Sequence, residues 1–232
     1  MPDRGSTRIA ITDNTKSNYA RVHLDWESSD PKGYSEWFKA QMEVRFNAIR
    51  SQMALNASAN VEEIPEYRVK TPLQRVIQIL KRHRDVIFQD DSSNKPVSII
   101  ITTLAALAYN NESDLYEALK TIINGMGRFV TQKNGEFFVV NPVNPEENFA
   151  EKWTGNSILR ENFYSWLEAA QSTFIKMEQS RNAEEMITTM GATFGKITAS
   201  KVACFVPQSN AVKSVPLMIE PMTASKPKPW RK

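Results

Sequence analysis

The sequence predicts a mainly α protein: a lobe of helices interrupted by one β-hairpin and preceded by a lone strand. Three observations predict it. Apolar residues recur at spacings of three and four over several long segments, the signature of amphipathic helices. Capping residues followed directly by proline stand at Asp30-Pro31, Thr71-Pro72 and Asn144-Pro145, each reading as a helix start. One stretch alternates on both sides of Asn134-Gly135, a dipeptide suited to the type I′ turn of a hairpin.

Taken in order, Arg8 to Thr12 alternates apolar and polar and predicts a short strand with no obvious local partner, so its sheet is expected from elsewhere. After Asp30, the residues Tyr34, Trp37, Phe38, Met42, Phe46, Ile49 and Met53 line one face of a long helix, and Asn56 to Pro65 reads as a loop. Thr71 and Gln74 form a capping box with Pro72 as first helical residue, ahead of an apolar face of Leu73, Val76, Ile77, Leu80 and Ile87. Asp90 to Lys95 is a polar connection. Pro96 to Tyr109 is apolar nearly all round; despite Ile99, Ile100 and Ile101 its length and alanines predict a central helix surrounded by others. Ser113 with Asp114 caps a further helix through Ile123, with Gly125 as terminator. The hairpin RFVTQKNGEFFVV comes next, and Asn144, Pro145 and Glu147 predict a short helix after it. Two more amphipathic helices are expected, one through Leu159, Phe163, Trp166, Leu167 and Phe174, the other through Met186, Met190, Phe194 and Ile197. From Cys204 on, repeated prolines and rising basicity predict an extended tail.

Composition bounds the function. The 232 residues are 41% hydrophobic and 24% charged, material for one sizeable core or two small ones. Lys and Arg exceed Asp and Glu by only 29 to 26, with part of the excess in the terminal KPKPWRK, so nucleic acid is not an expected partner. A single cysteine, Cys204, excludes an intramolecular disulfide framework and a multi-cysteine zinc cluster, and the two histidines, His23 and His83, lie far apart. With no signal-peptide core at MPDRGSTR and no apolar run long enough for a bilayer, the expected location is the cytoplasm, away from membranes.

The chain holds 8 glycines, and neither a phosphate loop nor a dinucleotide-binding GxGxxG occurs. HExxH, paired CxxC and GxSxG are also absent. No DxD stands on a strand to hold two metal ions, and Asp90 and Asp91 read as a solvated turn. The run Lys81 to Arg84 lies in the second half of its helix, where cations oppose the negative end of the macrodipole, and is first of all a solvated face. Lys81 stands apart because it borders the apolar stripe beside Leu80, projecting along the groove toward the next helix. Ser98, near that helix's start, adds a hydroxyl and helix-start amides, a combination that suits a triphosphate. His83 reads as a hydrogen-bonded surface residue, and Trp26, Trp37, Trp153 and Trp166 as packing residues rather than base-stacking platforms.

Three stretches together resemble the bacterial cGAS/DncV-like nucleotidyltransferases, the CD-NTases: IAITDNTKSNYARVHLDWESSDPKGYSEWFKAQM, TPLQRVIQILKRHRDVIF with KPVSIIITTLAALAY, and NPVNPEENFAEKW. Their order and spacing cover most of Ile9 to Trp153. The resemblance implies that residues 1–30 are a remnant strand and linker of an α+β palm, that the first long helix is the spine leading from it, that 31–203 are the helical carboxy-terminal lobe, and that 204–232 are a Pro/Lys-rich tail. It implies synthesis of cyclic di- or trinucleotides from nucleoside triphosphates with Mg²⁺ in anti-phage signalling. Lys81 matches the lobe lysine that contacts the triphosphate, and Ser98 falls close to the residue completing that contact. The family's Gly-Ser helix start, its DxD and its third aspartate have no counterpart here, so this chain alone is expected to be inactive, to carry no metal-binding carboxylates, and to have as partners a nucleoside triphosphate and a palm from a missing segment or separate chain. A different class of function, a non-catalytic helical sensor binding a nucleotide, RNA or a partner protein, would show itself by binding that is indifferent to Lys81.

Overall fold

A computed structural model describes residues 8–11, 17, 19–20 and 27–180. The expected helix through Met186 and Ile197 and the tail after Cys204 lie outside the described residues. Strand β1 (Ile9–Ile11) pairs antiparallel with β2 (Glu27–Ser29), Ile9 opposite Ser29. This corrects the expectation of a strand without a local partner: the partner is Glu27–Ser29, whose residues carry no apolar–polar alternation to announce a strand.

Helix α1 (Pro31–Ala57) begins where Asp30 Oδ1 accepts a hydrogen bond of 2.8 Å from the Gly33 amide. A Cβ at 33 would stand 2.5 Å from Asp30 Oδ2, so any other residue there would make the capping carboxylate shift. The helix extends into the segment expected as loop and stops at Ser58, whose left-handed backbone lets its amide reach the carbonyls of Ala54 and Leu55. Two single 3-10 turns, Val61–Glu63 and Glu66–Arg68, then lead to α2 (Pro72–Ile87). Its start is the expected capping box, with the Gln74 side chain accepting from the Thr71 amide at 3.0 Å and Thr71 Oγ1 accepting from the Gln74 amide at 3.3 Å.

Helix α3 (Ser98–Ala108) is the central element the sequence predicts. Ile101, Leu104, Ala105 and Ala106 are wholly buried, and α3 packs against α1, α2 and α4 (Leu115–Gly125). Asp114 caps α4 by accepting from the amides of Tyr116 and Glu117. Helix α6 (Ser157–Gln179) closes the bundle over α2 and α4 with Phe163, Trp166 and Phe174 buried on its inner face. Burying such large side chains supplies most of the driving force for the lobe, about 1.5–3 kcal/mol for each fully buried large apolar group.

Between α4 and α6 the chain forms two hairpins where one was expected. Strands β3 (Thr131–Lys133) and β4 (Glu136–Phe138) turn at Asn134 and Gly135, both at positive φ as a type I′ turn demands. Strands β5 (Val140–Asn141) and β6 (Asn144–Asn148) form the second, and β6 replaces the helix predicted from Asn144-Pro145-Glu147. The reason is tertiary. Asn144 spends its side chain on β2, its Nδ2 donating to the Ser28 carbonyl at 2.6 Å, and Glu147 accepts from Asn141 Nδ2 at 2.7 Å and from Ser29 Oγ at 3.4 Å. These bonds tie the second hairpin to the first strand pair and outweigh the local capping preference. A short helix, α5 (Lys152–Gly155), starts later and places Trp153 in the core.

Candidate functional site

Four consecutive basic side chains on α2, from Lys81 to Arg84, point in directions about 100° apart, so the helix assigns each a different environment. Arg82 faces solvent. His83 is 2% exposed, which corrects its reading as a surface residue. Its Nε2 lies 3.5 Å from Thr173 Oγ1 on α6, its ring is 6.4 Å from that of Trp166, and burial pushes its pKa down to about 4, so it is neutral at pH 7. Such a residue packs the α2–α6 interface.

Arg84 is 5% exposed, which corrects the reading of the run as a solvated face. Its Nη1 donates at 2.9 Å both to the Pro96 carbonyl and to Ser98 Oγ, while Nε and Nη2 donate to Asp85 Oδ1 at 3.1 and 2.8 Å. Lys95 adds a bond of 3.1 Å to the same carboxylate oxygen. Burial disfavours the Asp85 anion, but the hydrogen bonds from Arg84 and Lys95 outweigh it and hold its carboxyl below the usual range. The guanidinium thus clamps the α2–α3 connection at three points: the end of α2, the connecting residue Pro96 and the first residue of α3.

Lys81 sits one turn before Arg84, half-buried at the edge of the apolar stripe as its sequence position predicts. Burial lowers its pKa, the Arg84 charge lowers it further, and Asp85 partly restores it. Both cations therefore act on one region of space. Ser98 is exposed as the first residue of α3, and Val97 before it supplies no side-chain cap, so the helix-start amides keep their capacity for an anion. Arg84, a member of the run expected as a solvated face, bonds Ser98 directly and lies close enough to Lys81 for its charge to be felt there. The signal was available in the three-residue spacing from Lys81, which carries Arg84 toward the α3 side. Two open cavities, of about 770 Å³ between α1 and residues 66–74 and about 910 Å³ beside Glu136 and Glu146, lie elsewhere and include neither Lys81 nor Ser98 in their walls.

For a divalent metal the residues do not fit. Among the described residues no group of three His, Cys, Asp or Glu converges on one point, and the carboxylate beside the corner, Asp85, is held by Arg84 and Lys95. Asp90 and Asp91 are exposed, and Asp91 accepts from Asn94 in the solvated turn expected of it. Trp153 and Trp166 are buried and Trp37 packs against the core, as expected of packing residues, while Trp26 lies outside the described residues.

The lobe is mainly α, with Lys81 at the edge of one helix and Ser98 at the exposed start of the next, and comparison with known proteins gives its relatives. No protein-family model matches the chain. It is 33% identical over 172 residues to a c-di-GMP synthase of Roseivirga ehrenbergii, a match covering 73% of this chain and 45% of that protein. It is 28% identical over 136 residues to the cyclic dinucleotide synthase CdnG of Bradyrhizobium diazoefficiens, covering 53% of this chain and 32% of that one. The solved structure of the CD-NTase CdnG of Bradyrhizobium diazoefficiens in complex with GTP superposes with a TM-score of 0.56 over 78% of this chain and 56% of that chain, at 21% identity, which bears on the fold. Over these residues the chain is a relative of the CD-NTases, and it spans less than half the length of the curated relatives it matches.

Proposed function

We propose that the chain is the helical lobe of a cyclic-oligonucleotide synthase, in which Lys81 and Ser98 hold the triphosphate of a nucleoside triphosphate. The observation that carries this reading is the corner itself: a half-buried lysine that makes no ion pair among the described residues, one turn from a buried arginine that bonds the serine opening the next helix. The relatives named above are cyclic dinucleotide synthases, which supports the substrate class. A triphosphate would pair with the Lys81 ammonium and accept from the Ser98 hydroxyl and the first amides of α3. Mg²⁺, which the resemblance implies for the family, finds no ligand set among the described residues, and in our reading the carboxylates that would hold it and the joining of nucleotides belong to a palm outside this lobe. The setting we propose is cytoplasmic anti-phage defence.

Titration of the purified chain with GTP and with ATP tests the reading. Lys81→Ala is expected to weaken binding about ten-fold or more, the worth of one charge-assisted contact. Absence of binding, or binding indifferent to Lys81→Ala, overturns it. Incubation with the four nucleoside triphosphates and Mg²⁺ or Mn²⁺ is expected to yield no cyclic product, and any such product refutes the inactivity of the chain alone.

A further inference from the structure

Arg84 has five N–H donors, of which four are committed within the protein: two to Asp85, one to Pro96 and one to Ser98. Only 6% of its side chain is exposed, so it does not reach a ligand on the surface that Ser98 presents. Yet its bond to Ser98 has a chemical consequence. A hydroxyl owns one proton and two acceptor lone pairs. With Arg84 Nη1 donating into one lone pair at 2.9 Å, the Ser98 proton cannot point back at the guanidinium and is left for an acceptor on the outer side. The same donor pins the Pro96 carbonyl two residues earlier, which sets the direction in which α3 begins.

Resting on the reading that Lys81 and Ser98 bind a triphosphate, we infer that Arg84 is the positioning residue of that corner: it grips the Ser98 hydroxyl from its acceptor side, turns the hydroxyl proton outward toward the phosphate, and does not itself touch the anion. Asp85 keeps the fork in place. Its single oxygen Oδ1 accepts from both Nε and Nη2 and also from Lys95, so the three side chains carry a net charge of one and hold the guanidinium plane against the start of α3. Arginine is required because a lysine could not reach Asp85, Pro96 and Ser98 at once.

The experiment is a double-variant cycle on the full chain, read by binding of inorganic tripolyphosphate and of GTP, with the near-ultraviolet circular dichroism of each variant recorded as the check on folding. Ser98→Ala and Arg84→Met are each expected to weaken tripolyphosphate binding about ten-fold, and the double variant is expected to bind no more weakly than either alone, because the contribution of Arg84 passes through the hydroxyl. Arg84→Lys keeps the charge and loses the fork; it is expected to behave like Arg84→Met and serves as the readout where the methionine variant does not fold. Losses that add in the double variant, or full affinity in Arg84→Lys, overturn the inference while leaving the triphosphate site standing. No tripolyphosphate binding by the unaltered chain, or binding that survives both Lys81→Ala and Ser98→Ala, removes the site and the inference with it.

Discussion

The phenolic oxygen of Tyr34 lies 2.9 Å from Oγ1 of Thr103, joining the first turn of α1 to the middle of α3 across 69 positions of sequence. Thr103 is fully buried and Tyr34 half-buried, and burial raises the Tyr34 pKa while the bond to Thr103 partly offsets it. The contact fixes how the long first helix lies on the lobe that carries Lys81 and Ser98. Replacing Tyr34 by Phe is expected to cost about 1–2 kcal/mol, since it leaves the fully buried Thr103 hydroxyl without this partner, and Thr103→Val about 1 kcal/mol, since the Tyr34 hydroxyl it leaves is only half-buried. Urea unfolding of the single and double variants checks this, with the double variant costing less than the sum.

The capping box at Thr71 carries a second prediction. Thr71 is wholly buried, accepts from the Gln74 amide and donates to Met42 Sδ at 3.3 Å, so it ties the start of α2 to α1. Thr71→Ala is expected to lower stability by about 1–2 kcal/mol, at the upper end for a helix cap, as measured by the denaturation midpoint. Thr71→Ser should retain most of it, because the oxygen is what the amide needs.

Asn144 supports the join between the second hairpin and β2 with a bond from a wholly buried amide to the Ser28 carbonyl. Asn144→Ala removes that donor and leaves the carbonyl to be satisfied otherwise, so a loss of about 1–3 kcal/mol is expected. Hydrogen exchange distinguishes this from a general loosening: faster exchange is expected in β2, β5 and β6, with α2 and α3 keeping their protection.

His83 makes stability depend on pH. Its folded pKa, about 4, lies below its ordinary value of 6.5, so the folded state prefers the neutral ring and unfolding takes up a proton between those values. The contribution is fully present above pH 6.5, falls as the pH drops, and reaches a loss of about 3 kcal/mol near pH 4. Unfolding free energies at pH 7 and pH 5 should differ by less in His83→Gln, which does not titrate; an unchanged difference would refute the assignment.

Much of this protein was legible in one dimension. The helix starts at Asp30, Thr71 and Asp114, the all-round apolar character of α3 and the Asn134-Gly135 turn each depend on residues close in sequence, so capping chemistry, helical periodicity and turn geometry revealed them. The position of Lys81 at the edge of α2 and of Ser98 at the start of α3 was legible for a similar reason, each following from the helix it belongs to.

Other features depended on neighbours remote in sequence. The segment from Asn144 carries a helix-start signal, yet it is a strand because Asn144 and Glu147 bond to Ser28 and Ser29, 116 and 118 residues away. Asn144 can cap a helix or hold β2, and only the folded chain decides which. The same holds along the basic run of α2. Its four side chains are alike in the sequence, and the packing of α6 over one face and of the α3 start over another buries His83 and Arg84, leaves Arg82 outside and strands Lys81 at the edge. Periodicity located the helix and its cation at the rim; tertiary packing determined that the arginine one turn on is buried and bonds the serine, because burial and long-range hydrogen bonds are properties of the assembled lobe and of no segment within it.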